Sequence, residues 1–291
     1  MSDEEKTKLE AYADGQTMRK RQSPKRKKLS ATASGRKRKT TTTKKQTQPE
    51  PAKIIVDDLA PVEEQHNIIF KPNAGPQTSF LAAGEREVLY GGSAGGGKSY
   101  AMLADPLRFM GHPAFSGLLL RHTTEELREL IFKSQEMYPK IWPGIKWSER
   151  KMQWTAPSGA RLWMSYLDKE DDVLRYQGLA FSWIGFDELT QWPTPFAWNY
   201  MRSRLRSTAN DLPVYMRATT NPGGRGHHWV KKMFIDPAPH NRAFDATDIE
   251  TTEVLRYPAG HEKAGKPLFK RKFIPARLSD NPYLAAQGDY E

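Results

Sequence analysis

Apolar residues are almost absent before about residue 51, and beyond it they gather in short runs set between glycine-rich, proline-rich or charged stretches. Residues 88–90, Val-Leu-Tyr, form one such run, short enough for a strand buried on both faces. A glycine-rich stretch follows at 91–97, and the composition of 99–110 predicts a helix. Residues 117–120 predict a second strand. Residues 125–138, apolar at Leu127, Leu130, Ile131 and Met137, have the spacing of an amphipathic helix. Residues 152–155 and 161–167 flank Ala156, Pro157, Ser158 and Gly159, a turn signal that predicts a β-hairpin. Residues 181–186 and 214–219 predict two further buried strands. Strands alternating with helices imply an α/β fold, with a mostly parallel sheet flanked by helices. No internal repeat is present.

Charge divides the chain. The formal net charge is +11 over 291 residues, yet the first 50 residues hold 15 Lys and Arg against 6 Asp and Glu, and the rest is close to balanced. The segment 1–52 therefore reads as a disordered basic tail, able to touch phosphates without sequence preference, and 53–291 as the folded domain. A short basic cluster at 25–28 also fits a nuclear-localisation signal. The absence of cysteine excludes a disulfide scaffold and a thiolate metal site or nucleophile. No window approaches a membrane span, and no secretory signal opens the chain, which predicts a soluble intracellular protein without a membrane partner.

The candidate chemistry begins after the first strand. Gly92, Ser93, Ala94, Gly95, Gly96, Gly97, Lys98 and Ser99 match the P-loop pattern in its required setting, strand before and helix after. Glycines let successive backbone N–H groups turn to a polyphosphate at the positive end of the helix. Lys98 is expected to reach the β- and γ-phosphates of ATP, and the Ser99 hydroxyl to ligate Mg²⁺. The strand at 181–186 ends in Asp187 and Glu188, at the sheet edge where ligands bind. Asp187 is the expected Mg²⁺ carboxylate and Glu188 the expected general base. After the strand at 214–219, Thr220 and Asn221 are placed to sense the γ-phosphate or hold the water, and Pro222, Gly223 and Gly224 let the chain turn.

In order along the chain, these residues resemble the ATPase domain of the large terminase subunit, the DNA-packaging motor of tailed bacteriophages. Asn73, Ala74, Gly75, Pro76 and Gln77 resemble that family's adenine-binding motif, with Gln77 as the base contact. Tyr176, Gln177 and Gly178, the strand ending in Asp187 and Glu188, and the run Met201, Arg202, Ser203, Arg204, Leu205, Arg206 resemble the surroundings of its acidic motif. Thr219, Thr220, Asn221 and Pro222 resemble its coupling motif. Leu278, Ser279, Asp280, Asn281, Pro282, Tyr283 and Leu284 resemble the segment that closes the ATPase region. The resemblance covers about residues 68–284 and implies a P-loop NTPase of the additional-strand, catalytic-glutamate type. It implies double-stranded DNA, a portal and procapsid, and a small terminase subunit as partners. It also implies a homo-oligomeric ring when docked, and the host cytoplasm as location.

Two departures from the family pattern stand out. Ser93 and Ala94 occupy positions where many large terminases carry a basic residue, so extra charge must come from elsewhere, with Arg121 and Arg128 as candidate arginine fingers. The chain also ends at Glu291 without a second, ribonuclease-H-like region, so an ATPase with no nuclease of its own is expected. Arg202, Arg204, Arg206, Arg225, His227, His228, Lys231 and Lys232 are candidate DNA-phosphate contacts. Trp147, Trp154 and Trp163 fit a packed sheet face better than a ligand grip, and Trp183 belongs to the core. Two other classes share the motifs: a helicase or other nucleic-acid-dependent ATPase, and a nucleotide-binding assembly subunit that does not hydrolyse.

Overall fold

Each short apolar run becomes a strand, because a segment apolar on both sides is satisfied only between two covering layers. The computed structural model describes residues 70–93 and 95–281, all within one unit, residues 64–291. The expected basic tail, Ala94 and the last residues of the closing segment lie outside the described residues.

Among the described residues there are nine strands: β1 (Glu87–Gly92), β2 (Ser116–Arg121), β3 (Lys146–Ser148), β4 (Gln153–Thr155), β5 (Arg161–Tyr166), β6 (Trp183–Phe186), β7 (Tyr215–Thr220), β8 (Ala243–Asp245) and β9 (Lys270–Ala276). They form one sheet in the order β3-β4-β5-β2-β6-β7-β1-β9-β8. From β5 across to β9 every pairing is parallel. The outermost pairings are antiparallel, and β4 with β5 is the expected hairpin. β7 lies between the P-loop strand β1 and the acid strand β6, as the additional-strand class requires.

The helices are α1 (Pro76–Ala82), α2 (Lys98–Ala104), α3 (Thr124–Ile141), α4 (Phe196–Arg202) and α5 (His227–Val230). α3 starts at a capping box in which Thr123 and Glu126 satisfy each other's backbone N–H. The helix expected at 99–110 is shorter: α2 ends at Ala104 and tightens into a 3₁₀ turn, Asp105–Phe109, because Pro106 lacks the N–H that an α-helix needs. The expected strand at 181–186 pairs continuously only from Trp183, with Phe181 in an isolated bridge to Leu205.

Strand residues alternate between two cores. Val88, Tyr90 and Leu119 pack with α2 and α3, whereas Leu89, Leu118 and Leu120 pack with α4 and α5 on the other face. Trp154 and Trp183 are fully enclosed in the first core, and Trp147 rests on Trp154 with ring centroids 5.3 Å apart. Trp163 meets Phe181 edge-on, so the hairpin tryptophans serve packing.

Buried charge anchors both cores. Glu87, fully buried on β1, accepts from Arg271 of β9 at 2.7 Å, from Trp198 of α4 at 3.4 Å, and from Arg202 of α4. Asp105 lies 3.7 Å from the Arg217 Nε of β7 and accepts from Trp183 at 2.8 Å. The expectation that Arg202 serves DNA is corrected here: its guanidinium is turned inward to Glu87.

Burial alone raises the carboxyl pKa of Glu87, but Arg202 and Arg271 outweigh it and hold the group below the ordinary carboxylate value. Its stabilising contribution is therefore present above that ordinary value and lost as pH falls through the lowered one. Glu87→Gln strands two arginines and is predicted to cost about 3–5 kcal/mol in urea denaturation at neutral pH. The gap to wild type should narrow on acidification. A neutral-pH loss below about 1 kcal/mol would show that the arginines are satisfied without this carboxylate.

Candidate functional site

The P-loop leaves β1 at Gly92 and enters α2 at Lys98. At Gly92, φ is 138°, and a Cβ would stand 1.9 Å from the Ala276 carbonyl oxygen of β9, so only glycine fits beside that strand. Ser93 N–H donates to the same oxygen at 3.0 Å, which ties the loop's first turn to β9. Gly97, with φ 73°, caps α2 in the left-handed region, and a Cβ there would meet the Gln77 side chain at 2.8 Å.

Side chains hold the loop's carbonyls. Lys98 Nζ donates to Ser93 O at 2.5 Å, Asn281 to Gly95 O at 2.5 Å, Tyr90 Oη to Gly96 O at 2.8 Å, and Gln77 to Gly97 O at 2.9 Å. Gln77 is buried, and its amide oxygen accepts from Asn73 N at 2.6 Å, so both ends of the expected base contact are occupied by backbone. Lys98 is also buried; desolvation lowers its pKa, opposed by Glu188 and Asp187.

The acid pair stands at the carboxyl end of β6. Asp187, 1% exposed, accepts from Arg121 Nη1 at 2.6 Å and from the Thr219 hydroxyl of β7. Glu188 has φ 61°, a left-handed conformation uncommon for a residue with a side chain, and its N–H is held by Thr219 Oγ1 at 3.0 Å. Its carboxylate accepts from Asn221, whose side-chain and backbone N–H groups donate at 2.7 and 3.2 Å. Burial first, and the Asp187 charge second, raise the Glu188 pKa, while Arg121 and Lys98 oppose.

Gly95, Gly97, Lys98, Ser99, Glu188 and Asn221 line one cleft of about 260 Å³. Tyr100, Lys133 and Asn281 complete its wall. Of these three, sequence reading singled out Asn281 alone, and only within the closing segment; a lysine four residues after a glutamate on a helix carries no sequence signal of its own. Thr220 does not line the cleft; its hydroxyl meets Thr190 at 2.9 Å. Arg121 sits among Asp187, Glu126 and Glu188, at 2.6, 3.6 and 3.9 Å. Arg128 is exposed on α3 and does not line the cleft. The Ser99 hydroxyl and the Asp187 carboxylate are hard oxygen donors of the kind that suits Mg²⁺.

A P-loop on β1, an acid pair on β6 and one strand between them define a P-loop NTPase of the additional-strand class. Residues 89–270, more than half of the chain, match the family described as terminase large subunit, T4likevirus-type, N-terminal. The chain belongs to this family. No curated protein matches it in sequence. Among solved structures, the large terminase from a thermophilic bacteriophage is similar at 15% identity and TM-score 0.50 in one crystal form, covering 75% of this chain and 50% of that one. In another crystal form of the same terminase the figures are 18% and 0.51, covering 74% and 48%. Its complex with ADP gives 18% and 0.50, again covering 74% and 48%. At such identities the likeness establishes the fold, and this chain spans about half the length of those relatives.

Because Glu188 is held above its ordinary pKa, its ionised form costs stability at neutral pH, a cost that vanishes below the ordinary carboxylate range. Glu188→Gln is predicted to melt higher than wild type at neutral pH, with the difference closing on acidification. The Asn221 amide can flip to serve the new side chain, since its Oδ1 has no partner among the described residues. A variant that melts lower at neutral pH would show that the carboxylate is a net stabiliser of the fold.

Proposed function

We propose that this chain binds ATP at the P-loop with Mg²⁺ and hydrolyses it, and that hydrolysis drives double-stranded DNA into a procapsid. Lys98, Ser99 and Glu188 line one cleft, and the buried Asp187 is close enough for its charge to act on Lys98; this arrangement carries the reading, because a phosphate site, a metal carboxylate and a base are what hydrolysis requires. The terminase family match gives it direction.

In this mechanism Lys98 exchanges the Ser93 carbonyl for β- and γ-phosphate oxygens. Ser99 and Asp187 hold Mg²⁺, which supplies charge neutralisation to the phosphates when bound. Glu188, positioned by Asn221, takes a proton from the attacking water as the water oxygen bonds to the γ-phosphorus and the bridging oxygen leaves with ADP. Its raised pKa makes it a stronger base than an exposed glutamate. Asn221 follows directly on β7 and joins the base to the loop at Pro222 and Gly223, so loss of the γ-phosphate has a path to a movable segment.

Exposed Arg206, Arg225, His227, His228, Lys231 and Lys232, with half-buried Arg204, supply cations for a sequence-indifferent grip on the DNA backbone. Portal, procapsid and small terminase subunit are the proposed partners, a homo-oligomeric ring the working form, and the host cytoplasm the setting. Among the described residues no helix is long and apolar enough to cross a membrane.

Steady-state ATP hydrolysis with Mg²⁺, with and without double-stranded DNA and procapsids, tests the proposal. Lys98→Ala should abolish nucleotide binding. Glu188→Ala should retain binding and lose turnover by about 100-fold or more. Undiminished turnover in Glu188→Ala would assign the base to another group, and turnover indifferent to DNA and procapsids would separate the ATPase from packaging.

A further inference from the structure

The P-loop has few cations for a ligand that carries several negative charges. Ser93 and Ala94 bring none, Lys98 brings one, and Arg121 is already engaged by Asp187, Glu126 and Glu188. Arg128 lies outside the cleft. A second lysine does line it: Lys133 of α3 shares the wall with Lys98, Ser99 and Glu188.

Its present partners hold it loosely. The ammonium pairs with Glu129, one turn earlier on α3, at 2.5 Å, and stands 5.7 Å from the Tyr100 ring centroid of α2. The Glu129 side chain is 64% exposed, so water screens the pair and little is lost when it opens. The helix beneath is fixed. Tyr138 Oη donates to Leu103 O at 2.8 Å, which ties α3 to α2, and the capping box sets where α3 begins. Lys133 is thus a flexible cation on a rigid platform, in the wall of the cleft that Glu188 also lines, and the terminal phosphate must lie in that cleft if Glu188 is to activate the attacking water.

We propose that Lys133 is a phosphate-contacting residue of this site, exchanging Glu129 for a γ-phosphate oxygen when a nucleoside triphosphate binds. The proposal rests on the nucleotide reading of the P-loop. It places a lysine of α3 in the charge-supplying role left open by Ser93 and Ala94. A charge-assisted bond formed only with the terminal phosphate should discriminate tri- from diphosphate.

Titration calorimetry with Mg²⁺ and either ATPγS or ADP tests this on the full chain. Lys133→Ala should weaken ATPγS by about tenfold or more and ADP by no more than about twofold. Lys133→Arg should keep most of the ATPγS affinity. Glu129→Gln, which frees the lysine, should bind ATPγS as tightly as wild type or tighter. If the pair were merely structural, Lys133→Ala and Glu129→Gln would weaken both nucleotides alike, and that result overturns the proposal, as does unchanged ATPγS affinity in Lys133→Ala. Lys98→Ala separates the two readings: its failure to weaken binding overturns the P-loop assignment itself, whereas its success beside an inert Lys133→Ala overturns only the role of Lys133.

Discussion

The site depends on how the P-loop carbonyls are held. In a trans peptide the carbonyl and the following N–H point in opposite directions, so a carbonyl pinned on one side aims the next N–H to the other. Asn281 on Gly95 O, Tyr90 on Gly96 O and Gln77 on Gly97 O therefore turn the N–H groups of Gly96, Gly97 and Lys98 away from those donors. The three donors come from a strand, a helix and the segment after β9, so the loop's geometry is a property of the whole unit. The fourth bond, from Lys98 to Ser93 O, is of another kind: it uses the charge that a phosphate would claim.

The acid pair shows the same division between fixed and exchangeable parts. Thr219 holds both the Asp187 carboxylate and the Glu188 N–H, which fixes the left-handed backbone between the two acids. Arg121 bridges them in the state described, so its guanidinium is bound up with the charge balance of the acids. Downstream, Gly224 packs so closely on Thr190 that a Cβ would stand 2.6 Å from the Thr190 carbonyl oxygen. The loop after β7 and the turn after Glu188 are thus seated directly on one another.

Legibility in the sequence followed locality. β1, β2, β6 and β7 were visible because each is a short apolar run bounded by turn or polar residues, and the P-loop because its spacing is local. β9 was not foreseen: it opens Lys-Arg-Lys and contains Pro275, a composition that argues against a strand. It is tolerated because β8 covers only residues 270–272, leaving the outer side at Pro275 without a ladder partner among the described residues, and because Arg271 is paired with Glu87 across 184 positions of sequence. Arg202 misled for the same reason, since an alternating arginine run looks solvated until its buried partner is seen. Asp187 and Glu188 could be read as a pair, but the left-handed backbone at Glu188 is held by Thr219, a residue on another strand.

The most direct measurement is a structure of the chain with Mg²⁺ and ATPγS. The Lys98 ammonium should have left Ser93 O for the phosphates, while the bonds from Asn281, Tyr90 and Gln77 to the loop carbonyls persist and the N–H groups of Gly96, Gly97 and Lys98 meet phosphate oxygens. A nucleotide bound away from the loop, or a loop whose bonds from Asn281, Tyr90 and Gln77 break on binding, would contradict a site prearranged by its own fold.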